Sequence, residues 1–121
     1  MLATALAGDV AHARAKAAAF VPAARQHSNV NWHAELALVA GVLAIREGDP
    51  ATGVAVLETA RHAPMSMPYY YGLARRFLHQ AREGLDPVSL SAAKRRADQL
   101  TVESILDELA SSDTSIQSAA R

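Results

Sequence analysis

The sequence predicts an all-α domain made of antiparallel helix hairpins, and three observations predict it. Half of the 121 residues are apolar, and aromatic residues make up only 5%. Much of the apolar half is alanine, the best helix former, which loses no side-chain entropy and lets helices approach closely. No stretch alternates β-branched and polar residues with period two, so no strand is expected. Finally, a stop-and-start signal recurs: Gly8-Asp9, Gly48-Asp49-Pro50 and Gly84-Leu85-Asp86-Pro87. A glycine ends one helix, and an aspartate, followed by proline in the last two cases, opens the next. The intervals, about forty and then about thirty-six residues, suit stacked helical hairpins.

The elements follow in order. Residues 1–7 are apolar and end at Gly8. A helix runs from Val10 to about Arg25, with Ala13, Ala17 and Phe20 on one face. Pro22 should kink or end it near Val21, because proline removes a backbone donor. Ser28-Asn29 forms a loop and a candidate N-cap. The strongest helix spans Asn31–Glu47, where Leu36, Val39, Ala40, Leu43 and Ala44 recur at helical spacing. After Asp49-Pro50, Val54, Leu57 and Ala60 form the buried stripe of the next helix, which Pro64 closes. Residues 65–68 connect to a helix from about Tyr69 to Glu83, burying Leu73, Phe77 and Ala81. Gly84 caps it in a positive-φ conformation. The helix after Pro87 reaches about Asp98, with Val88, Ala92 and Ala93 as its apolar positions. Thr101 caps a last helix whose apolar face is Ile105, Leu106 and Leu109. Its Glu103 stands one residue short of the capping-box position. The domain thus covers 1–110, and the polar segment 111–121 is expected to be disordered.

Formal net charge is zero and pI is near neutral, which argues against a general nucleic-acid binder. The charge is unevenly spread. Arg75, Arg76, Arg82, Lys94, Arg95 and Arg96 fall within residues 65–100, while Glu103, Asp107, Glu108 and Asp113 follow them. The simplest expectation is that the last helix packs its acids near that basic segment. Cysteine is absent, so disulfide and thiol chemistry are excluded, and a cytoplasmic setting fits. The longest apolar run, residues 36–45, is too short to span a bilayer, and no signal-peptide pattern opens the chain.

Residues 34–64 resemble a tetratricopeptide repeat. Aligned on Gly48-Asp49, Gly41 takes the family's small position where two helices cross, Gly53 the small position of the second helix, and Leu57 its bulky one. Ala60 takes the next small position. The family's tryptophan and tyrosine positions are Ala37 and Ala44 here. Residues 31–110 also resemble the C-terminal repeat region of large bacterial LuxR-type and cyclase-linked ATPase regulators. The segments that carry this likeness are GDPATGVAVLETARHAP, AREGLDP and RRADQLTVESILDELA. No phosphate-binding G-x-x-x-x-G-K-[ST] loop is present. The resemblance implies a right-handed stack of about three hairpins that serves as the sensor or scaffold part of a regulator.

Catalytic patterns are missing. His12, His27, His33, His62 and His79 show no metal-ligand spacing, no serine sits in G-x-S-x-G, and Asp107-Glu108 lies in a charged surface helix. The expectation is therefore a non-enzyme without cofactor or metal that binds a protein or peptide. Lys94-Arg95-Arg96 precedes a helix–turn–helix-like junction, but the acids of the following helix would face phosphates badly. Tyr69-Tyr70-Tyr71 points its rings in different directions, some to the core and some to a partner. The tetratricopeptide alignment implies a concave partner face of Glu35, Leu38, Val42, Ile45 and Arg46, with Tyr70, Arg75 and Arg76 from the next unit. A self-associating module is the alternative, using Leu2, Leu6, Val10 and Phe20 at an open N-terminal end to form a homodimer. A helical domain sensing a small molecule is the third reading.

Overall fold

The computed structural model describes the backbone of residues 2–27, 29–63 and 68–119, with side chains up to residue 111 except those of Ala3 and Thr4. Within these residues there is no strand. A short helix, α1 (Leu2–Leu6), precedes six longer ones: α2 (Val10–His27), α3 (Val30–Arg46), α4 (Pro50–Arg61), α5 (Pro68–Glu83), α6 (Pro87–Gln99) and α7 (Val102–Ala119). The all-α expectation is met. No helix among the described residues is long and apolar enough to cross a membrane. Pro64, expected to close α4, and most of the 65–68 connector lie outside the described residues. The backbone of α7 takes in most of the segment expected as a disordered tail.

Local chemistry explains most helix ends. Gly8 and Gly48 adopt φ of 91° and 85°, a region that glycine enters without a Cβ penalty. Asp49 accepts from the Thr52 amide at 3.1 Å, and Asp86 from the Ser89 amide at 2.8 Å. Pro50 and Pro87 follow at the first helical position, where a missing N–H costs nothing. Asn29 accepts from the amides of Asn31 and Trp32. Thr101 and Ser104 form a reciprocal cap: the Ser104 amide donates to Thr101 Oγ1 at 3.0 Å, and the Thr101 amide donates to Ser104 Oγ at 2.9 Å. Serine thus fills the role of the capping-box glutamate that the sequence lacks at that position.

Two expectations about ends are corrected. Gly84 does not take a positive φ. The chain leaves α5 through tightened turns instead, with the Gly84 amide donating to the Ala81 carbonyl and the Leu85 amide to that of Arg82. Pro22 neither ends nor divides α2, which continues to His27. Its ring faces solvent, so the interrupted backbone bond falls on the outer side of the helix, where water can reach it.

The core is organised around α3. This helix is apolar on nearly all sides, as a helix enclosed by others must be, and α1, α2, α4, α5 and α7 all pack on it. Its crossing with α4 is very close. A Cβ at Gly41 would lie 2.6 Å from Leu57 Cδ2, and a Cβ at Gly53 would lie 2.5 Å from Ile45 Cγ1. Both glycines therefore stand where only a hydrogen fits. Val54, Leu57 and Ala60 are buried as the stripe of α4, and Leu73, Phe77 and Ala81 as that of α5.

The third hairpin is not formed as expected. α5 and α6 pack on α4 rather than along each other, and α7 folds back over α2 and α3. Because α6 packs chiefly on α4, its buried strip is narrow. Ala93 is buried, Leu90 is half-buried, Ala92 is exposed, and Val88 is 78% exposed. Ile105, Leu106 and Leu109 of α7 are buried, as its periodicity requires.

Gly41→Leu should cost about 1–3 kcal/mol, because the larger side chain must push Leu57 aside. Gly84→Ala should be close to neutral, since a Cβ there meets only the Ala81 carbonyl oxygen at 3.6 Å. Denaturant melts of the two variants check this contrast.

The helix caps predict an acid dependence. The Asp49 carboxyl is held below its ordinary value by hydrogen bonds from the Thr52 side chain and then its backbone, and that of Asp86 by the Ser89 backbone and then its side chain. A carboxyl with a depressed folded pKa contributes stability that is complete above its unfolded value, about 3.9. That contribution is lost as the pH falls through the folded value. Asp49→Asn with Asp86→Asn should keep the capping oxygens and flatten the fall in melting temperature below about pH 4.

Candidate functional site

Glu58 is a carboxylate on the buried side of α4, only 8% exposed. It falls four residues after buried Val54, on the helix face that meets α5. A buried charge must be paired or it destabilises the fold. Arg82 of α5 forms an ion pair with it, Arg61 Nε lies 3.4 Å from its other oxygen, and His62 Nε2 lies 4.0 Å away. Glu58 thereby fixes two guanidinium groups at the α4–α5 seam.

These arginines border two clefts. The smaller, about 530 Å³, opens between α4 and α6 and has a mixed lining that includes Lys94, Asp98 and Leu100. The larger, about 820 Å³, runs along the outside of α5. Arg61, Arg75, Arg76, His79 and Arg82 line it with Tyr71, Gly72, Leu78 and Pro68, and none of its lining residues is acidic. Tyr71, Gly72, Arg75, Arg76 and His79 form one face of α5 because they recur one turn apart. Leu73, Ala74, Phe77, Leu78 and Ala81 are buried on the other.

Two features distinguish the larger cleft. Arg75 and Arg76 have no acidic partner among the described residues, whereas Arg61 and Arg82 share Glu58 and His79 meets Glu83 at 3.1 Å. Gly72 is an exposed helical glycine, and a Cβ built on it would meet nothing within 4 Å. Such a glycine destabilises a helix without returning any packing against the described residues.

The expected partner face does not assemble. Leu38 and Val42 are completely buried, because α3 has neighbours on every side, and they belong to the core. Ile45 is half-buried against the Gly53 position. Arg46 donates to the Leu6 carbonyl at 3.3 Å and so covers the end of α1. Glu35 is half-buried. It lies close enough to Tyr70 to raise that phenol's pKa, although burial is the larger cause. Tyr70 packs against the core, while Tyr69 is 59% exposed and Tyr71 is also exposed. Of the eight expected residues, Arg75 and Arg76 alone line the larger cleft.

The open N-terminal end is also corrected. Leu2 is buried, and Leu6, Val10 and Phe20 are partly buried against the core. α1 packs on α2 and α3, and Phe20 meets Trp32 edge to face at 5.1 Å between ring centroids. Two acids of α7, Glu103 and Asp107, turn to α2 rather than to the basic segment before them. Arg25 of α2 reaches both Glu103 (3.1 Å) and Asp107, and these partners raise its pKa, the Asp107 hydrogen bond most. The histidines lie on separate helices or apart along one, and no metal-holding group of three or more occurs among the described residues.

Sequence reading missed Arg61, Gly72, His79, Arg82 and the role of Glu58. A signal was present, for Glu58 continues the buried stripe of α4 and Arg61 follows it by three residues. No family model matches the chain, and neither curated proteins nor solved structures yield a match.

Removing the partner of a buried charge should be costly. Arg82→Met should destabilise the fold by about 1–3 kcal/mol, discounted because Arg61 still reaches Glu58. Gly72→Ala should have the opposite sign, stabilising by about 0.5–1 kcal/mol. Thermal and denaturant unfolding read both, and a destabilised Gly72→Ala would show that the glycine has a structural task.

Proposed function

We propose that this chain is a non-catalytic protein-interaction module whose partner docks on the outer face of α5. The observation that carries the reading is the larger cleft, which gathers exposed Tyr71 with Arg75 and Arg76, two cations lacking acidic partners among the described residues. Tyrosine and arginine are the side chains most enriched where proteins bind one another. Small-molecule sites are mainly apolar and enclosed, whereas this cleft is rimmed by charge and open to solvent. That favours a macromolecular partner over a sensed metabolite. The covered N-terminal end leaves self-association through Leu2, Leu6, Val10 and Phe20 without support.

The tetratricopeptide-like reading is retained in narrower form. The α3–α4 pair, with Gly41 and Gly53 at its crossing, supports one repeat-like unit. The packing of α1 and α5 on α3 supports first helices lying side by side on either flank of it. In this reading α6 and α7 are a closing pair rather than a further repeat, and the whole is the scaffold part of a bacterial regulator.

Site-specific photo-crosslinking tests the docking face. A benzophenone side chain replacing Arg75 should give one reproducible protein adduct in the cell that makes this chain, and the same probe at Arg95 on α6 should give none. Arg76→Glu should abolish the adduct. Adducts from position 95 alone would move the interface to α6 and overturn the assignment.

A further inference from the structure

We propose, resting on the docking reading above, that the α5 cleft receives an acidic peptide segment of its partner and that this segment crosses the helix at Gly72. The cleft is lined by four arginines and one histidine and by no carboxylate. Glu58 already neutralises Arg61 and Arg82 in part, and His79 is engaged by Glu83. The unmet charge is therefore concentrated on Arg75 and Arg76. They are neighbours in sequence, both exposed, with no acidic partner among the described residues. Two available guanidinium groups match one or two carboxylates, which arginine binds through paired N–H donors.

Gly72 supplies the second, independent observation. It stands one turn before Arg75 and Arg76 on the same cleft face, and no described residue comes within 4 Å of where its Cβ would be. An exposed helical glycine that packs against none of the described residues is what a closely approaching partner backbone would require. Tyr71 beside it offers an apolar ring for the partner's side chains.

The patch fits a nucleic acid poorly. Affinity for a polyanion grows with the number of phosphates neutralised, and here two arginines are already engaged with Glu58. The chain as a whole has no net charge.

Fluorescence anisotropy with the full chain provides the test, using a dye-labelled peptide of alternating glutamate and alanine. A matched glutamine–alanine peptide and a labelled oligothymidylate serve as comparisons. The acidic peptide should bind, and the glutamine peptide should bind about tenfold or more weakly, as expected for two lost charge pairs. Arg75→Ser with Arg76→Ser should weaken the acidic peptide by a similar factor, and raising salt from about 50 to about 300 mM should weaken it further. Gly72→Phe should unfold no earlier than the parent chain and yet lose the peptide.

Equal binding of both peptides would overturn the acidic specificity. Unimpaired binding by Gly72→Phe would overturn the path across Gly72. Oligothymidylate binding that depends on Arg75 and Arg76, with no peptide bound, would make the cleft a nucleic-acid surface. If the acidic peptide fails while the position-75 protein crosslink persists, the docking face stands and its acidic chemistry falls. Loss of the crosslink as well would remove both.

Discussion

The crossing of α3 over α4 is the contact on which the other helices depend. Gly41 and Gly53 bring the two backbones so near that a single Cβ on either would collide with Leu57 or Ile45. That approach puts α3 in the middle of the domain, and its apolar surface then needs cover on every remaining side. α1, α2, α5 and α7 supply the cover. Leu36, Leu38, Val39, Val42 and Leu43 are completely buried as a result, although they point in different directions around the helix. Burying several large aliphatic side chains at once stabilises the fold by roughly 1.5–3 kcal/mol for each, before conformational entropy is counted.

Charge is sorted over this frame by the same geometry. The return of α7 to α2 brings Glu103 and Asp107 to Arg25, a cation far from them in sequence. The approach of α5 to α4 encloses Glu58 and gives it Arg82 and Arg61. The second pairing takes up Glu58, whose partners Arg61 and Arg82 line the basic cleft along α5. The neutral total charge therefore conceals an uneven surface, and the excess at Arg75 and Arg76 follows from which helices touch. Composition alone cannot predict it.

Legibility in the sequence followed the range of the interaction. Asp49-Pro50 and Asp86-Pro87 declare their helix starts within four residues, and Gly48 its stop, so these were readable. Buried stripes such as Leu73, Phe77 and Ala81 were readable because one helix face repeats locally. Gly41 was legible through the resemblance to a repeat whose helices cross at a small residue. What failed depends on distant neighbours. Val88 looks apolar by period but is left uncovered because α6 packs chiefly on α4. Leu38 and Val42 looked available to a partner, but helices packed around α3 leave both completely buried. The pairing of Glu58 with Arg82 spans twenty-four residues and needed the fold to reveal it.

The position of the candidate site follows from that closure. α3 has no free side, α2 is covered by α7, and α4 is surrounded by α3, α5 and α6. α5 is different. It packs on α4 and α3 through one stripe, and among the described residues no helix is laid along its outer face. Its exposed cleft residues Gly72, Arg75 and Arg76 can thus vary without disturbing Leu73, Phe77 or Ala81 on the opposite side. A rigid core and an exposed helix face are what an interaction module requires, because the docking residues are held in place by a stripe that takes no part in docking. Arg82 is the point where the two tasks meet: its guanidinium satisfies the buried Glu58 and also borders the cleft. A partner that drew Arg82 outward would leave Glu58 short of a hydrogen-bond donor. Arg82 is therefore better suited to shaping the cleft, while Arg75 and Arg76 make the contacts.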